Sequence, residues 1–233
     1  MKDRFGIEFS FLSMGAITFL GFVLCLLFLP SEKISKKGSG GSLVKPVKYL
    51  EIIKDRPIFS LVLFRTCFTT SIGVIWAFLP LLASTKLGLS SSAIGIVVMI
   101  SVLVSGLLQA PMGVLADRVS KKLLIVAGGL LAAVSMAYLN QASSFSELFL
   151  VNFIFGLAGG ISFPAVMALG VIEGRRVGAM GSLMGLLALA HSLGMLIGPL
   201  LAGVLLQYFS FALIFNVGAV ILIAGTFFFF KVY

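Results

Sequence analysis

His191, the only histidine of this sequence, falls near the middle of a long apolar run, and Arg65 falls about two turns inside another. A histidine at such a depth is able to titrate near neutrality and carry a proton. The same side chain is equally suited to hydrogen-bonding a neighbouring helix. An arginine in a membrane segment points by default to a functional site. At that depth, roughly 12 Å from the start of its run at 1.5 Å per residue, its long stem also reaches the headgroups. A third group is the decapeptide Gly113-Val-Leu-Ala-Asp-Arg-Val-Ser-Lys-Lys122, which packs Asp117, Arg118, Lys121 and Lys122 between two apolar runs. The eight acids (Asp3, Glu8, Glu32, Glu51, Asp55, Asp117, Glu147 and Glu173) all avoid the midpoints of the runs. Proton coupling through this chain would therefore fall to His191. No Gly-rich phosphate loop, His-Glu-x-x-His or Cys-x-x-Cys occurs. One histidine without a level acid or nucleophile makes no hydrolytic site. The reading is a non-enzyme that needs no metal and no cofactor.

The elements that must position these groups are set by composition. Of 233 residues, 60% are hydrophobic and 11% charged, with mean hydropathy +1.18. A soluble domain carries about 25% charged residues, so the class is an all-α polytopic membrane protein. About 20 apolar residues span a bilayer as a helix, and seven such runs are read at 7–30, 57–83, 92–116, 122–140, 146–172, 177–206 and 209–231. Their continuity excludes the alternating pattern of a membrane barrel.

The net charge of +9 does not indicate a nucleic-acid partner, because alternate connections carry the basic residues. The segment 31–56 holds Lys33, Lys36, Lys37, Lys45, Lys48, Lys54 and Arg56. Arg118, Lys121, Lys122, Arg175, Arg176 and Lys231 follow in later connections of the same parity, whereas the opposite connections hold only Lys86. The positive-inside rule then places the C-terminus in the cytoplasm and Met1 outside. The first run is not read as a signal peptide, since it ends in Leu29-Pro30-Ser31-Glu32 without a small-x-small cleavage site. Cys25 and Cys67 each lie within a span and behave as small apolar residues. Gly38-Ser-Gly-Gly-Ser42 reads as a flexible tether. Residues 48–56 read as a short interfacial helix ahead of Pro57, a helix-start proline.

The decapeptide resembles the signature loop of the major facilitator superfamily of transporters, Gly-x-Leu-Ala-Asp-Arg-x-Gly-Arg-Lys. The matches are Gly113, Leu115, Ala116, Asp117 and Arg118, with Lys121 and Lys122 at the basic end, while Ser120 replaces the second glycine. That resemblance implies a gate that locks one face of the transporter and releases it during the cycle. In the family the loop joins the second and third helices of each six-helix half. The order here therefore resembles helices six to twelve: a first helix over 1–30, a basic cytoplasmic linker over 31–56, and a six-helix carboxy-terminal half over 57–233. Phe5, Phe11 and Ile17 recur at the offset of Phe209, Phe215 and Ile221, as a repeated half would have it. Asn152, ahead of Gly156, Gly159 and Gly160, stands where the family's first half usually has arginine, which also favours the second half.

Gly194-Met-Leu-Ile-Gly198-Pro199-Leu-Leu-Ala202-Gly203 resembles the antiporter motif, Gly-x-x-x-Gly-Pro-x-x-Gly-Gly. Gly194, Gly198 and Ala202 form a small-residue stripe for close helix approach, and Pro199 cannot donate to Met195, so a bend is expected. The resemblance places the stripe's packing partners, and the helix facing Asp117, outside this sequence.

The function implied is secondary active transport of a small solute across the plasma membrane by alternating access, near the drug-efflux branch. Arg65, Asn152 and His191 are the candidate substrate or proton residues, with Gln109 and Trp76 as weaker candidates to line a cavity. The implied partners are the solute, the lipid bilayer, a proton as coupling ion, and an amino-terminal half or a second copy. A non-transporting remnant or interaction subunit is the alternative. A channel is disfavoured, because no charge ring or carbonyl-filter sequence is present.

Overall fold

A computed structural model describes residues 2–28 and 49–233, and every regular element in them is helical. The flexible tether and the lysines Lys33 to Lys48 of the linker lie outside the described residues. Eight helices follow in order: α1 (Lys2–Phe28), α2 (Tyr49–Ile53), α3 (Arg56–Leu87), α4 (Ser91–Arg118), α5 (Lys121–Tyr138), α6 (Phe145–Arg176), α7 (Met180–Tyr208) and α8 (Phe211–Val232). Seven of them, all but α2, are long and apolar enough to cross a membrane. The seven predicted runs and the seven helices coincide, and the chain is a multi-pass membrane protein. Helix α1 belongs to a separate compact unit; within it, Thr18 Oγ1 donates to the carbonyl of Met14, which satisfies a hydroxyl inside an apolar segment.

In the bundle that follows, α3 is the central element. It packs against α5, α6, α7 and α8, and its sequence is apolar on every side, as an enclosed helix requires. Leu61, Phe64, Phe68, Ile75 and Leu79 are all buried. Phe64 meets Phe68 at 5.9 Å and Phe229 at 5.7 Å between ring centroids, and Phe68 stacks on Phe155 at 6.0 Å. Offset and tilted aromatic pairs of this kind join α3 to α8 and α6.

Helix ends are capped by local chemistry. Asp55 accepts from the amide of Ile58 at 3.4 Å with Pro57 in the first turn, a start where proline loses no hydrogen bond. Ser144 accepts from the amide of Glu147 at 3.3 Å, while the Glu147 carboxylate accepts from the amide of Ser143 at 2.7 Å. This is the reciprocal arrangement that satisfies two free amides at a helix start. Gly88 ends α3 in the left-handed region at φ 60°.

Helix α6 runs to Arg176, one turn past the predicted 172, because its last turn is tied to its neighbours. Glu173 is buried and accepts from the Tyr233 hydroxyl and from Arg176 Nε at 2.5 Å. Arg176 Nη2 also reaches Asp55 Oδ1 at 2.6 Å. The start of α3 and the ends of α6 and α8 are thus fastened together at the basic end of the bundle. The Arg176 guanidinium holds the Asp55 carboxyl below its usual range. Burial, followed by the hydrogen bond to Glu173, raises the Tyr233 hydroxyl above its usual value. At the opposite end Lys86 Nζ donates to the carbonyl of Asn140 at 2.5 Å. The short α2 is not merely interfacial: its Ile52 is buried with Ile58, Ala179, Leu183 and Leu186.

Candidate functional site

A cleft of about 320 Å³ opens among α3, α4, α6 and α7, the helices that carry the candidate residues. Phe68, Ile72 and Trp76 line it from α3, Ser101, Ser105 and Gln109 from α4, Phe155 from α6, and His191 from α7. No side chain of α5 or α8 is among its lining residues. The volume lies at the small end of ligand sites, and apolar walls with a few polar groups are the usual composition.

Close backbone approach creates this geometry. Gly156 of α6 faces Ser101 of α4 so closely that an added Cβ would lie 2.6 Å from the Ser101 carbonyl oxygen. Gly159, one turn on, faces the Ser105 side chain. The glycines that follow Asn152 therefore bring α4 and α6 together beneath the cleft.

Arg65 is 91% buried, and its guanidinium is turned towards neighbouring helices. Nη2 lies 3.2 Å from His191 Nδ1, and the guanidinium carbon sits 4.8 Å from the centroid of the Phe163 ring on α6, within cation–π range. Arg65 Nε is buried and has no partner. Arg65 forms no ion pair with a carboxylate among the described residues. A guanidinium only donates, so Nδ1 of His191 must accept, which leaves the proton of the neutral ring on Nε2. His191 and Arg65, 126 residues apart in sequence, are thus one unit with the imidazole towards the cleft.

Asn152 is buried, donates through Nδ2 to the Leu148 carbonyl at 3.0 Å, and leaves Oδ1 without a partner. It is not among the residues lining the cleft, whereas Gln109 and Trp76 are.

The hinge between α4 and α5 is two residues long, Val119 and Ser120. Ser120 has φ −57° and ψ 115°, so the turn requires no glycine where serine replaces it. Leu115 packs against the main core, and Val119 donates to its carbonyl at 2.9 Å. Gly113 faces open space. Asp117 and Arg118 are exposed and form no ion pair among the described residues. Lys121 is half-buried, and Lys122 Nζ lies 4.5 Å from the centroid of the Phe230 ring on α8.

The stripe of α7 corrects one expectation. Its partners are not outside the sequence: Gly194 and Gly198 pack on α3. A Cβ on Gly194 would collide with Thr69 Oγ1 and the Thr66 carbonyl, and one on Gly198 with the Thr70 carbonyl. Thr69 Oγ1 also lies 3.3 Å from the carbonyl of Ala190, crossing between the two helices. Threonines on α3 supply both a compact surface and a hydroxyl, which is why a glycine stripe fits there. Ala202 is buried in the core, but Gly203 meets only Phe78, at an ordinary 3.8 Å. Helix α7 continues through Pro199; Gly73 lies opposite, where a Cβ would be 2.9 Å from the proline Cδ.

The Major Facilitator Superfamily model matches residues 61–233, from the second turn of α3 through α8. The chain belongs to this superfamily. The chain is 27% identical over 231 residues to the uncharacterized MFS-type transporter YuxJ of Bacillus subtilis (strain 168), covering 97% of this chain and 58% of that relative. It is 32% identical over 147 residues to the uncharacterized MFS-type transporter YcaD of Escherichia coli O17:K52:H18 (strain UMN026 / ExPEC), covering 62% of this chain and 36% of the relative. YcaD of Shigella flexneri matches with the same identity and coverage. The chain therefore spans just over half the length of the longest-matched of these MFS relatives. The Glu173–Tyr233 contact had no sequence signal beyond an acid and a phenol near two helix ends, 60 residues apart.

Proposed function

We propose that this chain forms the carboxy-terminal half of a secondary transporter that exports a small solute across the plasma membrane by alternating access. The observation that carries this reading is the cleft, lined from α3, α4, α6 and α7, with an apolar wall and the Arg65–His191 unit at its edge. Central sites of transporters form where two bundles face each other. Helices α4 and α7 flank the cleft and expose Leu107, Val114, Leu196, Leu200 and Val204. An amino-terminal half or a second copy closing over these faces, with lipid around the rest, accounts for such exposure. The basic residues of alternate connections support an orientation with the basic end of the bundle, and the C-terminus, in the cytoplasm. The Asp117–Lys122 hinge then serves as the cytoplasmic gate.

The test is solute accumulation in cells that express the 233-residue chain alone or together with the amino-terminal half of the Bacillus subtilis relative. Reduced accumulation with either combination supports the reading. No change with both would sink it in favour of a non-transporting membrane subunit.

A further inference from the structure

The cleft joins two features with different chemistry. Its walls are aromatic, through Phe68, Trp76 and Phe155. Its one imidazole is backed by a cation that no carboxylate neutralises among the described residues. A buried charge without a counter-charge is costly and persists where something offsets it. The Phe163 ring and the His191 lone pair offset part of it, but Arg65 Nε remains unbonded.

Because Arg65 donates to Nδ1, His191 holds its proton on Nε2. That nitrogen has no protein partner among the described hydrogen bonds and is not buried, on a residue that lines the cleft. Beside the indole N–H of Trp76, the amide of Gln109 and the hydroxyls of Ser101 and Ser105, the cleft therefore presents one N–H donor that has a positive charge directly behind it. A single fixed positive charge suits a monoanion; a phosphate-like dianion calls for a second. With a volume of about 320 Å³, the aromatic walls favour a single planar ring.

We propose that the cleft binds a small aromatic monocarboxylate, whose oxygen accepts from His191 Nε2–H while Arg65 acts as the positioning residue that fixes the tautomer and supplies the charge. This deepens the transporter reading by naming a substrate class, and it rests on taking the cleft as the solute site. Among the described residues no other titratable side chain lines the cleft. Of the elements bordering the cleft, α4 contributes Ser101, Ser105 and Gln109, and α6 contributes Phe155.

The molecule has one tryptophan and one histidine, and both line the cleft, so each is its own reporter. The experiment titrates the purified 233-residue chain in detergent with sodium benzoate and with benzamide, its uncharged analogue, following Trp76 fluorescence. Nitrogen-15 NMR of labelled histidine reads the tautomer in parallel. Benzoate is expected to bind at least tenfold more tightly than benzamide, and the spectrum to show the Nε2–H form, with that resonance moving on benzoate addition. Arg65→Lys should retain part of the preference through its charge, and Arg65→Gln should lose it and mix the two tautomers. Equal affinity for benzoate and benzamide, a proton on Nδ1, or a preference that survives Arg65→Gln would each overturn the proposal. The wild-type measurements decide the matter even if a variant fails to fold. Benzoate binding without benzoate movement in proteoliposomes that also hold the amino-terminal half of the Bacillus subtilis relative would sink the transport reading and leave this site standing. Solute movement with no preference for benzoate would do the reverse.

Discussion

Gly156 of α6 lies against the main chain of Ser101 of α4, with room for hydrogen but not for carbon: an added Cβ would stand 2.6 Å from the carbonyl oxygen and 2.9 Å from the α-carbon. The neighbour is backbone, so it cannot rotate away. Two of the four walls of the cleft meet at this contact.

Gly156→Ala should therefore force α4 away from α6. We expect a loss of about 1–3 kcal/mol, the usual cost of overpacking, seen as a lower melting temperature by circular dichroism in detergent. Trp76, across the cleft, should change its emission in the same variant. Unaltered melting and emission would show that α4 is held in place by something other than this contact.

The glycines of the α7 motif should divide into two kinds. Gly198→Ala meets the Thr70 carbonyl of α3 and is expected to destabilise by about 1–3 kcal/mol. Gly203→Ala meets only Phe78 at 3.8 Å and should change stability by no more than about 0.5 kcal/mol. Thermal denaturation of the two variants side by side checks this. Equal effects would mean that the stripe does not act through contact with α3.

Stability should form a plateau in pH bounded by two groups at the basic end. Asp55 is depressed below 3.8 by the Arg176 hydrogen bond, so its contribution is complete above that value and lost as pH falls through the folded-state value. Tyr233 is raised above 10.0 by burial and the Glu173 bond, so its contribution is complete below that value and lost as pH rises through the folded-state value. Asp55→Asn should flatten the acid limb of a melting profile and Tyr233→Phe the alkaline limb. A variant that flattened the wrong limb would contradict the assignment.

The gating assignment separates stability from activity. Asp117 is exposed and in no ion pair among the described residues. Asp117→Asn should leave the melting temperature within the range of a neutral surface change, about 0.5 kcal/mol, while solute movement falls at least tenfold. Full transport by that variant would remove the hinge from the mechanism.

The spans were legible because each is a continuous apolar run, and Pro57 announced the start of α3 as a helix-start proline; the Asp55 cap came only with the structure. The hinge was legible because its charges stand between two such runs. What remained hidden depends on rotation about helix axes. In a helix apolar on all sides, the sequence carries little periodic signal to say which face meets which neighbour. Arg65 could thus be recognised as exceptional, but not that it turns to His191 rather than to the headgroups. Asn152 and Gln109 look alike as polar residues in apolar runs; one is buried and bonded to its own helix, the other borders the cleft. The stripe of α7 was visible as spacing, yet its partner depended on three threonines of α3 whose rotation towards α7 no local pattern encodes. The tie of Glu173 to Tyr233 and Arg176 required the ends of separate helices to converge, which no local pattern encodes.

The two ends of the bundle are fastened by different kinds of bond. At the basic end, the carboxylates of Asp55 and Glu173 clasp the Arg176 guanidinium and the Tyr233 hydroxyl across α3, α6 and α8. At the other, Lys86 grips main-chain carbonyls that have no proton to lose. Acid therefore unbuttons the clasp between helices at one rim, while at the opposite rim it reaches only the local Glu147 cap of α6 and leaves the Lys86 bridge in place. The bundle has a built-in polarity of yielding: the rim that opens first is the one whose helix-to-helix bonds the adjoining solution is able to titrate.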